Sequence, residues 1–227
     1  MGASGRLDIS VHLGPLPVLQ NFSAYTASLD RLDANKLRSP GAPQRILREN
    51  PRLVDSQQRG STIDGRFAGW DPPETSLAML CNYVPQLTDS RWQVLGKVPD
   101  RCGRPQLVAS VHAPAGAELT VPAPRSGAVT YARIDGAGVS GLESIRALLY
   151  RARSRSVNVN GTQKYRLVPG TSGDGLLMRA APGVDYPAPF ALSPAARTIK
   201  LTGISGDLVI QFYSMPVVQQ RRGRAAS

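Results

Sequence analysis

The sequence predicts a mainly β fold, a jelly-roll-like β-sandwich packed against a smaller α+β unit at its N-terminal side. Short runs rich in β-branched and aromatic residues recur at close spacing from Gln106 to Tyr213, the pattern of a sandwich or jelly roll. Gly, Pro, Asn and Asp separate the runs, and the 22 Gly and 19 Pro follow no collagen-like period, so they mark turns. Upstream of these runs, two stretches carry helical spacing instead. The predicted organisation is a small α+β unit over 6–104, a sandwich over 105–218 and a disordered basic tail over 219–227.

The elements follow in chain order. Leu7, Ile9, Val11 and Leu13 alternate, which predicts a strand over 6–13. Past Gly14, Pro15 and Pro17 the period changes. Tyr25, Leu29, Leu32 and Leu37 share one broad face of a helix over 25–37, which Pro40 and Gly41 end. Residues 45–47 and 52–54 suit short strands, and a polar loop continues through Arg66. In Asp71-Pro72-Pro73-Glu74, a capping Asp precedes a proline at the first helical position and a Glu at the third. Leu77, Leu80, Cys81 and Val84 follow at i, i+3, i+4 and i+7, one buried stripe that stops before Pro85. A strand over 91–98 places Trp92 and Val94 on one face, which predicts a core position for Trp92. In the β-rich half, strands are predicted over 106–111, 118–121, 128–134, 156–159, 165–168, 175–178, 198–201 and 207–213. The stretch 142–150 has helical spacing, but its context favours a strand.

Lys and Arg total 27 against 16 Asp and Glu, a net charge of +11. Phosphate neutralisation makes nucleic acid the usual partner of such a charge. The distribution points elsewhere. Only Lys36, Lys97, Lys164 and Lys200 are Lys, and the Arg are spread along the chain. Two clusters stand out, Arg146, Arg151, Arg153 and Arg155, and the tail Arg221, Arg222 and Arg224. Few aromatics interleave them, so no stacking platform for single strands is evident and no nucleic-acid partner is expected. A diffuse Arg surface suits anionic lipid headgroups or envelope polymers. No run approaches the roughly 20 apolar residues of a membrane span.

Cys81 and Cys102 are the only cysteines, too few for a Cys-based zinc site and not spaced as a redox pair. A structural disulfide between them is predicted, which implies an oxidising, extracytoplasmic compartment. The alternative is two unrelated thiols. Residues 2–5 lack the apolar stretch of a signal peptide, so export would be directed from outside this sequence, as for an excised domain.

The segments LPVLQNFSAYTASLDRLDANKLRSPGAPQRIL, IDGRFAGWDPPETSLAMLCNYVP and RWQVLGKVPDRCG resemble the extracytoplasmic stretch after the last transmembrane helices of certain actinobacterial polytopic membrane proteins. Those proteins are similar to glycosyltransferases that use lipid-linked sugars. The resemblance spans about residues 16–103, with Asp33 where the pattern admits Asn or Asp, and reaches the β-rich half only by texture. It implies a C-terminal module attached to the cell membrane through a parent protein, with cell-envelope polysaccharide or lipid-linked sugar as partner.

His12 and His112 lie in strand patterns, outside any strand–turn–helix elbow, and no G-x-S-x-G, Walker or dinucleotide fingerprint occurs. Asp64, Asp71 and Glu74 are the nearest acidic group for glycoside hydrolysis, but turn and capping roles already account for them. No catalytic residue is assigned. Sugar binding needs an aromatic face and planar polar groups, which points to Trp70 with Asp64 and Arg66, against the alternative that Trp70 plugs the junction of the two halves. Tyr131, Tyr150, Tyr165, Tyr186 and Tyr213 lie on different runs and suggest no platform. No cofactor is expected. Asp174 and Asp185 could supply a structural calcium site, with turn formation as the alternative. The function expected is a non-catalytic, glycan-binding extracytoplasmic domain; the alternatives are a structural or protein-interaction module and a polysaccharide-active enzyme.

Overall fold

The computed structural model describes residues 16–17, 24–49, 65–89, 92–138, 154–184 and 196–219. The strands expected over 6–13 and 52–54, the stretch 142–150 and the tail beyond Gln219 lie outside these residues, as do both Arg clusters except Arg155.

The N-terminal side is built from α1 (Ala27–Arg38), β1 (Arg45–Glu49), α2 (Pro73–Asn82), β2 (Tyr83–Thr88) and β3 (Trp92–Lys97). The three strands form one antiparallel sheet in the order β1-β3-β2. Thr26 caps α1, its hydroxyl accepting from Leu29 N, and the helix stops at Ser39. The buried side of α1 is Asp30, Asp33, Ala34 and Leu37, whereas Tyr25, Leu29 and Leu32 are exposed. This corrects the expected Tyr25–Leu29–Leu32–Leu37 face. The physical reason is local. Asp30 is turned inward because its carboxylate accepts from the backbone N–H groups of Glu74 and Thr75, both at 2.8 Å, and from the Thr75 hydroxyl at 2.8 Å.

Asp30 therefore does for α2 what Asp71 was expected to do. The residue before α2 is Pro72, which offers no side-chain cap, and the first helical residue is Pro73. Asp71 instead pairs with Arg66, Oδ1 to Nη1 at 2.6 Å, with both side chains buried. The helix ends at Asn82, and Val84 and Pro85 belong to β2, a strand that the helical stripe had hidden.

Among the described residues the C-terminal side contains eight strands: β4 (Gln106–Pro114), β5 (Glu118–Thr120), β6 (Ala128–Asp135), β7 (Ser156–Val159), β8 (Gln163–Arg166), β9 (Leu176–Ala180), β10 (Thr198–Thr202) and β11 (Asp207–Pro216). They form two antiparallel sheets, β4-β11-β6-β9 and β5-β10-β7-β8. Numbered from the first sandwich strand, the orders are 1-8-3-6 and 2-7-4-5. Each sheet thus joins distant strands, as two Greek keys rolled together demand, so the fold is a jelly roll. The β7–β8 hairpin turns at Asn160 and Gly161, both with positive φ, as a tight hairpin requires.

Between the sheets lies the main core, with Ile134, Val157, Ile199, Leu201, Ile210 and Phe212 at its centre. The outer side of the first sheet carries Val129, Tyr131, Leu177 and Met215, which pack against Leu77, Leu80 and Cys81 of α2. The far side of α2 meets α1 and the three-stranded sheet through Ala78, Met79, Leu37 and Leu95. Cys81 and Cys102 are bonded, with Cα atoms 5.2 Å apart. The bridge ties α2 to a segment whose Cys102 pairs with Val217 next to β11. No helix among the described residues is long and apolar enough to cross a membrane.

Candidate functional site

Trp70 does not present a stacking face. It ends a single 3-10 turn, Ala68–Trp70, that carries it with Phe67 into the sandwich core. Its indole N–H donates to the Leu177 carbonyl at 2.6 Å, and its ring meets Phe67 and Tyr165 edge-on at 5.1 and 5.9 Å. Arg66 is also buried, paired with Asp71 and lying 5.0 Å over the Tyr25 ring. Neither residue can reach a polymer in solvent, which corrects the Trp70–Arg66 sugar site; Asp64 lies outside the described residues. Trp92 moves the other way. It is 40% exposed, on the face of the three-stranded sheet turned away from α1 and α2.

A different surface brings sugar-type groups together. α2 covers the Val129–Tyr131–Leu177 part of the first sandwich sheet, and beyond it the same face continues in the open. The β6–β11 register sets Tyr131 beside Tyr213 and Arg133 beside Gln211. The β4–β11 register adds Ser110 next to Gln211. Tyr131 and Tyr213 stack nearly parallel, 12° apart at 5.3 Å. The Arg133 guanidinium lies 5.2 Å from the Tyr213 ring centre, and the Tyr213 hydroxyl is 3.0 Å from Gln211 Oε1, placed to donate. Arg133 and Ser110 are exposed, while Tyr213 and Gln211 are half-buried. The strip is held by the strands themselves, since Tyr131, Arg133 and Asp135 alternate outward with Ala132 and Ile134 inward.

One end of the strip is acidic. The 169–175 turn is pinned to β6 by the Ser172 hydroxyl, which donates to the Ile134 carbonyl at 3.0 Å, and by Ile134 N donating to Ser172 O. Gly175, with φ +106, closes the turn under α2; a Cβ there would lie 2.7 Å from Leu77 Cδ1. Asp174 stands in this turn. Burial, then the charges of Asp30 and Glu74, push its carboxyl up to about 6, against the opposing pull of Arg31 and Arg133. Its Oδ2 has no hydrogen-bond partner among the described residues. Burial likewise pushes the Tyr131 phenol up.

The expected calcium pair joins Asp174 to a residue outside the described ones. Among the described residues, the only cluster of His, Cys and carboxylate ligand atoms is Cys81, Asp100 and Cys102, and both sulfurs there are in the disulfide. Asp185 lies outside the described residues.

Sequence reasoning missed the Arg133–Gln211–Tyr213 strip. The alternation within β6 and β11 was visible, but the pairing of these two strands depends on a long-range register that periodicity does not encode. No family model, curated protein or solved structure matches the chain.

Proposed function

We propose that this chain is a non-catalytic, extracytoplasmic glycan-binding domain that holds cell-envelope polysaccharide or lipid-linked sugar against the open face of its first sandwich sheet. The observation that carries this reading is the strip of Arg133, Gln211 and Ser110 beside the Tyr131–Tyr213 pair. A sugar presents hydroxyls that both donate and accept, together with a flat C–H face. A guanidinium with five fixed donors, an amide that donates and accepts, and a hydroxyl match the first, and the half-buried Tyr213 is the aromatic surface left for the second, since Tyr131 is buried under α2. The sheet fixes these groups before binding, so little ordering cost opposes association.

The Cys81–Cys102 disulfide supports an oxidising location. The resemblance of residues 16–103 to the extracytoplasmic region of actinobacterial, glycosyltransferase-like membrane proteins supports a role beside the membrane in a longer protein. The strip assigns no acid/base pair, and the domain positions glycan rather than cleaving it.

Titration calorimetry with arabinan, galactan and mannan fragments tests the reading. Binding to one of them is expected, with Arg133→Ala weakening it about tenfold or more, the scale of one lost charge-assisted hydrogen bond. Silence across all three polymers, with the fold intact by circular dichroism, sinks the glycan reading and favours a protein-interaction module.

A further inference from the structure

The outer face of the three-stranded sheet carries a second surface, unrelated to the glycan strip. Leu47 of β1, Val94 of β3 and Leu87 of β2 stand in register as one row across the sheet. Leu47 is 65% exposed and Leu87 63%, with Trp92 one step along the same face of β3. Opposite Gly96 on that face, the Gln86 side chain folds over the glycine and accepts from Arg45 Nε at 3.3 Å. The inner face, by contrast, buries Leu95 against α1 and α2. This face is therefore an apolar row ending in an indole, with Arg45 in register with Gly96 at one margin and Glu49 in register with Trp92 at the other.

We propose that this face docks directly on an anionic lipid surface, with Leu47, Leu87 and Trp92 entering the headgroup boundary and Arg45 meeting lipid phosphate. Trp and Leu beside a cation are the groups that favour the membrane–water interface, where the ring's apolar body and polar N–H are both satisfied. Charge complementarity selects lipid over a second copy of the chain: at +11, two copies repel, while an anionic bilayer attracts. The two leucines offer no planar group to a sugar, which separates this face from the glycan strip. The inference stands whether or not the glycan reading holds.

The test uses the whole 227-residue chain with vesicles of phosphatidylcholine alone and of equal parts phosphatidylcholine and phosphatidylglycerol. Cosedimentation with the phosphatidylglycerol vesicles is expected, and the double variant Leu47→Ser/Leu87→Ser should weaken it about tenfold or more. Because both leucines are mostly exposed, the thermal midpoint of that variant should match the parent's, so a folding defect is told apart from lost binding. Bromine-labelled phosphatidylcholine in the same vesicles should quench part of the tryptophan fluorescence, and Trp92→Phe should remove that part, leaving buried Trp70 unquenched. Vesicle binding that is absent from the parent, or unchanged in the double variant, overturns the proposal. So does a salt-sensitive binding without bromine quenching, which would be bulk charge alone. A parent dimer that the double variant dissociates, with no vesicle binding, would instead make the face a contact between copies.

Discussion

The sandwich and the N-terminal unit both bury apolar residues, but only in the sandwich does apolar spacing mark which ones. In the sandwich, β6, β7, β10 and β11 turn Ile134, Val157, Ile199, Leu201, Ile210 and Phe212 inward, and outward positions are apolar where α2 covers them, at Val129, Tyr131 and Met215. In the N-terminal unit, α1 turns Asp30 and Asp33 inward and leaves Leu29 and Leu32 in solvent. The three-stranded sheet likewise leaves Leu47 and Leu87 open. Apolar periodicity reports burial where the only task is to fill a core. It fails where an inward position has a specific polar task, here the capping of one helix by another, and where a sheet face is left uncovered.

The two tryptophans break or sharpen this contrast most. Trp70 supplies its whole ring to the sandwich core and a hydrogen bond to Leu177 O. Trp70→Ala should lower unfolding stability by about 3–5 kcal/mol in urea denaturation, the range for a large aromatic deleted from a packed interior. Trp92→Ala, on the open sheet face, should stay within about 1 kcal/mol of the parent. Equal losses at both positions would erase the distinction between a filled sandwich and an open sheet face.

What was legible in the sequence follows the same division. The eight sandwich strands among the described residues lie within a few residues of their predicted positions, because alternation inside a strand and glycine or asparagine between strands are local signals. The Cys81–Cys102 bond was legible from there being two cysteines and one helix facing the core. The site was not. Trp70 sits in a Gly-flanked loop that looks exposed in sequence, yet the loop enters the core. Trp92 alternates with Val94 as a core residue would, yet both face away from α1 and α2, since the inner side of β3 is Leu95 and Gln93. Which face of a strand is covered depends on what packs on it, and α1 and α2 choose one side of this sheet only.

Asp30 is the next test. Its carboxylate is fully buried and accepts from Glu74 N, Thr75 N and the Thr75 hydroxyl. Burial pushes its carboxyl up from the usual range, and those three hydrogen bonds oppose the shift. Asp30→Ala leaves the first turn of α2 without its acceptors and should cost about 2 kcal/mol, above the usual single cap because the donors stay buried. Asp30→Asn keeps one acceptor oxygen and should recover part of the loss. Leu32→Ser on the opposite side of α1 should move the urea midpoint little. A larger loss at Leu32 than at Asp30 would mean that α1 packs by its leucines after all, and that the inverted helix is wrong.

The smallest effect has the opposite sign. Asp174 has a folded value of about 6 against an ordinary 3.8, so between those two values the folded protein holds a proton that the unfolded chain has released. Stability then falls as pH rises through this window, and above about pH 6 the ionised Asp174 carries its full penalty beside Asp30 and Glu74. Asp174→Asn removes the ionisation while keeping the size of the side chain. At pH 7 the variant should be more stable than the parent by about 1 kcal/mol, after allowing for solvent screening at a partly exposed site, and its thermal midpoint about 2–4 °C higher. Below the ordinary value of 3.8, where the parent's Asp174 is protonated in both states, the difference should vanish. Asp30 keeps its own charge in the variant, and since that charge is one of the repulsions that raise Asp174, part of the gain at pH 7 is the relief of the Asp30–Asp174 repulsion. A gain that is the same at both ends of the window would assign the effect to packing in the 169–175 turn, and a loss at pH 7 would mean that the Arg31 and Arg133 attraction outweighs burial at the acidic end of the strip.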